Sequence, residues 1–200
     1  MIDLKGRKHA APILAPIAAG LAKLRLTPAI ITILGLLITV VGAVLIGLGE
    51  LFAGALTAAF GVFLDALDGP LARHLGTESD RGAFLDTMSD RVGEIAIWVG
   101  LSVFLRDEPH LQLLCVVALA ASLLVPYVRA KAEYAGLEGK GGWMGRAERM
   151  ILIILGIGLS GLGVAIFGID ILEIILWMFV VLTGFTVLQR IHKTWQQLEA

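Results

Sequence analysis

The chain has 200 residues, 58% hydrophobic and 16% charged, with 24 glycines besides and a mean hydropathy of +0.88. Soluble domains are about a quarter charged, so an ordinary soluble domain is excluded and an integral membrane protein of one domain, 1–200, is expected. Sixteen Lys+Arg against seventeen Asp+Glu leave a net charge of −1 and no basic surface for nucleic acid, and the single cysteine, Cys115, forms no internal disulfide.

The N-terminus opens with Lys5-Gly6-Arg7-Lys8 and an apolar run from Ala10 to Ala22. A basic start and a short apolar run also occur in secretory signals. Here the run holds Pro12 and Pro16, lacks a small-residue cleavage site, and leads through Lys23 and Arg25 into a full-length apolar stretch. It reads as an amphipathic helix over about residues 5–22, lying in the cytoplasmic interface with its basic residues toward anionic headgroups.

A spanning helix needs about 20 mostly apolar residues, and six stretches approach that length: Pro28–Leu48, Leu51–Leu71, Ala83–Leu105, Leu111–Ala130, Met150–Phe167 and Ile171–Leu188. Gly, Pro or charged residues mark every joint between them, as at Gly47-Leu48-Gly49-Glu50, Arg106-Asp107-Glu108-Pro109 and Gly168-Ile169-Asp170. The expected fold is therefore an all-α integral membrane protein, with six transmembrane helices within about residues 28–192 and an N-terminal interfacial helix. Six crossings place both termini on one side. Of the sixteen basic residues, all but Arg106 fall at the termini or around the second and fourth connections. Short loops rich in Lys and Arg stay in the cytoplasm, so both termini are expected there, in a bacterial-type inner or plasma membrane.

Ionised side chains inside a spanning helix cost a few kcal/mol each and mark function. The second and third stretches carry five carboxylates: Asp65, Asp68, Asp86, Asp90 and Glu94. Asp65 and Asp68 are spaced i, i+3, and Asp86 and Asp90 i, i+4, so each pair shares one helix face. At 1.5 Å per residue, Asp68 and Asp65 lie roughly 8 and 12 Å inside from Arg73, and Asp86 and Asp90 roughly 6 and 12 Å from Gly82. Because the connection from His74 to Arg81 is short, the two helices are antiparallel neighbours and the four aspartates meet at one depth near the cytoplasmic boundary. Protonation or pairing with Arg73, Arg81 and Arg91 is one way to neutralise them. Divalent cations are the other, and an all-oxygen carboxylate set suits Mg²⁺, or Mn²⁺, rather than Zn²⁺.

Written out, the stretch is Asp65-x2-Asp68-Gly69-x2-Ala72-Arg73-x8-Gly82-x3-Asp86-x3-Asp90. It resembles, at every fixed position, the signature of the CDP-alcohol phosphatidyltransferase family, and the likeness extends to the six stretches and the Leu26-Thr27-Pro28 start of the first. The resemblance implies transfer of a phosphatidyl group from a CDP-linked lipid, CDP-diacylglycerol, to an alcohol, with CMP leaving and a divalent metal required. It implies that Asp65, Asp68, Asp86 and Asp90 ligate metal, that Asp90 is also the base for the attacking hydroxyl, and that Arg73 pairs with phosphate oxygens. It further implies that Gly69 permits close backbone approach, that Gly82 leaves room beside the nucleotide, and that Ser79, Pro28 and Thr32 touch the nucleotide or pyrophosphate. Pro28 also reads as a first-turn helix starter, and Thr32 as a helix-facing hydroxyl. A homodimer is implied by the resemblance alone.

The signature is silent about the acceptor. Lys131, Arg149 and Arg190 stand at the inner ends of the fourth, fifth and sixth stretches, where they would suit an acceptor that carries its own phosphate. Basic residues are also what the positive-inside rule expects there. The runs Tyr127–Glu133, Gly139–Gly142, Arg146–Arg149 and Gln189–His192 resemble the actinobacterial phosphatidylinositol phosphate synthase branch of the family, which implies inositol 1-phosphate (1D-myo-inositol 3-phosphate) as acceptor. Glycerol 3-phosphate, the acceptor of phosphatidylglycerophosphate synthases, is the rival. A divalent-metal transporter is a third reading, but it expects acids spread through the membrane depth and leaves Gly69-x2-Ala72-Arg73 unexplained.

Overall fold

A computed structural model describes residues 14–139 and 141–198. In chain order the elements are α1 (Leu14–Lys23), α2 (Pro28–Gly47), α3 (Leu51–Asp65), α4 (Asp68–Leu75), α5 (Asp80–Phe104), α6 (Pro109–Tyr134), α7 (Arg146–Gly161), β1 (Ala165–Ile166), β2 (Ile169–Asp170) and α8 (Ile171–Leu198). They fall into two compact units that divide between Phe104 and Leu105. The part of the expected interfacial helix before Leu14 lies outside the described residues; Leu14–Lys23 is helical.

Among the described residues, four helices are long and apolar enough to cross a membrane: α2, α3 with α4 (Leu51–Leu75), α6 and α8. The third and fifth of the six expected stretches fall short for physical reasons. α5 carries Asp86, Asp90, Arg91 and Glu94 along its first half, and α7 ends after 16 residues at Gly161. Where the fifth stretch was expected to continue, the chain forms a two-residue β-hairpin, pairing Ala165 with Asp170 and Ile166 with Ile169. Both turn residues take positive φ, Phe167 at 53° and Gly168 at 82°, as a tight hairpin requires.

In the N-terminal unit α2 packs against both α3 and α5. Thr27 caps α2 by accepting the Ile30 amide at 3.3 Å, with Pro28 in the first turn where its missing N–H is harmless. The buried stripe of α2 is Ile31, Thr32, Gly35, Thr39, Gly42, Ala43 and Ile46, and that of α3 is Leu51, Gly54, Ala55, Ala58, Gly61 and Asp65. Small residues on both stripes let the two backbones touch. A methyl group added to Gly35 would lie 2.8 Å from the Gly61 carbonyl and 2.9 Å from the Asp65 amide. Gly100 of α5 meets the Ala43 carbonyl in the same way. Large apolar side chains such as Leu37, Leu56, Phe60 and Val99 are left on the outer faces, the arrangement of a lipid-facing surface.

α1 closes one end of this unit. Ala18 is fully buried with Ile31, Leu67 and Leu71, and Leu14, Leu21 and Leu64 flank them.

In the C-terminal unit α8 packs against α6 and α7. Gly156 of α7 admits Ile175 of α8, where an added methyl would lie 2.8 Å from its Cγ2. The segment between α6 and α7 is tied to the far half of α8: Glu138 accepts from Lys193 at 2.8 Å, the Glu138 amide donates to Gln197 at 2.8 Å, and the Met144 amide donates to Thr186 at 3.1 Å. Cys115 is buried with a free thiol.

Candidate active site

The expected single helix bearing Asp65 and Asp68 is interrupted between them. α3 ends at Asp65, Ala66 and Leu67 form a turn, and α4 starts at Asp68. Pro70 supplies the cause: it has no amide for the carbonyl of Ala66, four residues back, and its ring clashes there. The Leu67 amide bonds instead to Leu64, three residues back, at 2.9 Å, and Pro70 itself sits in the tolerated first turn of α4.

α5 brings in the third carboxylate. Ser79 precedes the helix and accepts the Gly82 amide at 3.2 Å, satisfying one orphan donor of the first turn; Asp86 follows one turn later. Asp65, Asp68 and Asp86 each offer an oxygen, and these atoms lie within 4.8 Å of one another. Asp65 is buried, and the other two are half-buried. Thr32 of α2 completes the arrangement, its hydroxyl donating to Asp68 Oδ2 at 2.6 Å with the Pro28 carbonyl at 3.0 Å.

Three carboxylates so close repel one another strongly unless a cation sits among them. The donor set is all oxygen, with room for further ligands on the half-buried side, and so it fits Mg²⁺ or Mn²⁺. Asp65, Asp68 and Asp86 are therefore the residues that could hold a divalent ion. Asp90, expected as a fourth member, stands one turn further along α5 outside this group. Its Oδ2 lies 3.9 Å from Arg91 Nη2.

The other residues expected at the donor end are placed as follows. Arg73 is exposed in the last turn of α4, and its guanidinium reaches back over Gly69, where an added methyl would meet Nη1 at 3.4 Å. Gly69 thus gives the Arg73 side chain its path. Pro28 starts α2, Gly82 lies in the first turn of α5, and Ser79 acts as its cap.

The three cations expected at the acceptor lie on three helices of the C-terminal unit. Lys131 of α6 sits 6.0 and 5.8 Å from the ring centres of Tyr127 and Tyr134. Arg149 of α7 is buried, with Nη1 3.5 Å from the Met144 carbonyl. Arg190 of α8 donates from Nε to the Gly141 carbonyl at 2.9 Å and from Nη1 to the Val125 carbonyl at 2.8 Å. That strapping role was not evident from spacing.

A multi-pass membrane protein with a carboxylate centre for a divalent ion is the class that fold and site define. The chain belongs to the CDP-alcohol phosphatidyltransferase family, whose sequence model matches residues 25–187. It is 38% identical over 190 residues to the phosphatidylinositol phosphate synthase of Mycobacterium tuberculosis (strain ATCC 25618 / H37Rv), covering 92% of this chain and 87% of the relative. To the enzyme of that name from Corynebacterium glutamicum it is 36% identical over 197 residues, covering 96% and 88%. The crystal structure of the M. tuberculosis synthase with CDP-DAG bound matches with a TM-score of 0.83 at 36% identity, over 92% of this chain and 94% of that one. The same enzyme in complex with manganese and citrate matches at 0.82 and 36%, over 91% and 88%.

Proposed function

We propose that this protein transfers the phosphatidyl group of CDP-diacylglycerol to inositol 1-phosphate, giving phosphatidylinositol phosphate and CMP. The observation that carries the reading is the Asp65, Asp68 and Asp86 group, formed by the family's signature residues. The named relatives, alike over nearly the whole chain, supply the acceptor.

In the reaction the acceptor hydroxyl oxygen bonds to the phosphatidyl phosphorus, the bond from that phosphorus to the CMP oxygen breaks, and the hydroxyl proton leaves. Asp65, Asp68 and Asp86, with Asp90 at the edge, would hold Mg²⁺ or Mn²⁺, which when bound neutralises charge on the pyrophosphate and the departing CMP. Asp90 takes the hydroxyl proton on its carboxylate; its place outside the three-carboxylate group supports that division of labour. Arg73, exposed in the last turn of α4, pairs with phosphate oxygens. Pro28, Thr32, Gly69, Ser79 and Gly82 border the nucleotide, Thr32 also orienting Asp68. Lys131, Arg149 and Arg190 hold the phosphate of the acceptor.

The reading extends to topology. α5 and α7 join the four long apolar helices to make six crossings, with 1–200 working as one domain. α1 lies in the cytoplasmic interface, and both termini and the site face the cytoplasm of the plasma membrane. The working unit is a homodimer. Basic residues at the corresponding connections support the orientation.

CMP release from CDP-diacylglycerol by the purified protein tests the reading. It should require both inositol 1-phosphate and Mg²⁺ or Mn²⁺, and should stop on chelation. Release that is indifferent to chelation would overturn the metal assignment, and release with glycerol 3-phosphate but not inositol 1-phosphate would overturn the acceptor.

A further inference from the structure

The second half of α8 holds the segment between α6 and α7 with one face. Thr186, Arg190, Lys193 and Gln197 follow at i, i+4, i+7 and i+11, the spacing of a single helical stripe. Along that stripe Thr186 accepts the Met144 amide at 3.1 Å, Arg190 donates to the Gly141 carbonyl at 2.9 Å, and Lys193 and Gln197 both meet Glu138. Of these four side chains only Thr186 is fully buried. Its hydroxyl donates to the Leu182 carbonyl at 2.9 Å while accepting from Met144. Its methyl group faces Gly142, where φ is +91° and an added Cβ would lie 2.6 Å from Thr186 Cγ2.

Two carbonyls flank this contact, and each meets a cation. The Gly141 carbonyl accepts from Arg190 Nε, and the Met144 carbonyl accepts from Arg149 Nη1 at 3.5 Å. A guanidinium is planar with its donors fixed in direction, so the positions of these carbonyls bear on how both arginines are aimed. We infer that Thr186 is a positioning residue for acceptor binding, seating the segment that carries Gly141 and Met144 on α8 and thereby aiming Arg149 and Arg190 at the acceptor phosphate. This rests on the reading of those two arginines as phosphate ligands. Without the hydroxyl, the buried Met144 amide loses its acceptor, a costly state, and the segment relieves it by shifting away from α8. Both carbonyls move with it.

CMP release by the purified full chain, with each substrate varied in turn, tests this. Thr186→Val keeps the shape and removes the hydroxyl. KM for inositol 1-phosphate should rise about tenfold, the scale set by one unsatisfied buried amide, with kcat and KM for CDP-diacylglycerol within about twofold of wild type. Thr186→Ser keeps the hydroxyl and should bring the acceptor KM back to within about twofold of wild type. Amide hydrogen exchange over residues 141–145 should be faster in Thr186→Val and near wild type in Thr186→Ser, with α2 unchanged in both. An unchanged acceptor KM in Thr186→Val, a parallel rise in both KM values, or a Thr186→Ser protein as impaired as Thr186→Val would overturn the inference. If Thr186→Val does not fold, Thr186→Ala, which also lacks the hydroxyl, decides by the same comparison of the two KM values. Wild-type protein that releases no CMP with any phosphorylated alcohol would overturn the functional reading, and this inference with it.

Discussion

The Thr32 hydroxyl donates to Asp68 Oδ2 at 2.6 Å, joining residues 36 positions apart and fixing one carboxylate of the acidic group to α2. A hydroxyl in that position orients the carboxylate without adding charge, as outer partners of metal ligands do. Thr32→Val keeps the shape and removes the donor. The metal concentration for half-maximal CMP release should rise about 10- to 100-fold, with much of the rate recovered at saturating metal. Thr32→Ser should behave like the wild-type protein. An unchanged metal requirement in Thr32→Val would separate Thr32 from the metal site.

Asp65 depends on close contact between α2 and α3. The methyl group of Gly35→Ala would press on the Gly61 carbonyl and the Asp65 backbone, and overpacking of this kind costs about 1–3 kcal/mol. Thermal unfolding in detergent should show a lower Tm, and activity should fall with it because Asp65 moves. Gly184→Ala on α8 meets nothing within 4 Å and should leave both unchanged. Equal effects of the two substitutions would remove helix contact as the cause.

α1 is tied to the acidic site through Leu67, the residue immediately before Asp68. Ala18 is fully buried against Leu67 and Leu71, so Ala18→Leu should displace α1 and loosen the turn that separates Asp65 from Asp68, at a cost of about 1–3 kcal/mol. CMP release should fall while the protein still inserts into membranes. Full activity in Ala18→Leu would show that α1 is only an anchor.

Asp90→Asn should reduce kcat by about 10²- to 10⁴-fold, the range for a lost general base, while metal-dependent binding of CDP-diacylglycerol persists. Wild-type turnover in this variant would exclude Asp90 as the base.

The cations proposed to hold the acceptor phosphate differ in what else they hold. Lys131→Ala should raise KM for inositol 1-phosphate far more than KM for CDP-diacylglycerol, with little change in Tm. Arg190→Ala should raise the same KM and also lower Tm, because it releases the Gly141 and Val125 carbonyls. Equal changes in the two KM values would sink the acceptor assignment for both.

Much of the acidic site is legible in the chain because helical periodicity and the short link between α4 and α5 suffice to bring Asp65, Asp68 and Asp86 together. The turn at Ala66–Leu67 has its signal in Pro70, which a reading of one continuous span passes over. Thr32 meets Asp68 only through the register of α2 on α4, which no local pattern encodes. Asp90 shares a helix face with Asp86, yet spacing along α5 does not reveal that Arg91 and Glu94 flank it. The hairpin after α7 is equally hidden, since Phe167 carries none of the usual turn chemistry for a positive φ. Hydropathy identifies α2, α6 and α8 directly, whereas along α5 the apolar residues are diluted by Asp86, Asp90, Arg91 and Glu94.

Competition among acceptors gives the most direct measurement. Purified protein supplied with CDP-diacylglycerol, Mg²⁺ and equimolar inositol 1-phosphate, glycerol 3-phosphate and unphosphorylated inositol is analysed by mass spectrometry of the lipid product. Phosphatidylinositol phosphate as the dominant product, absent when Asp68 is replaced by Asn, is the expected result. Phosphatidylglycerophosphate or phosphatidylinositol as the dominant product, or undiminished synthesis by the Asp68→Asn protein, would contradict it.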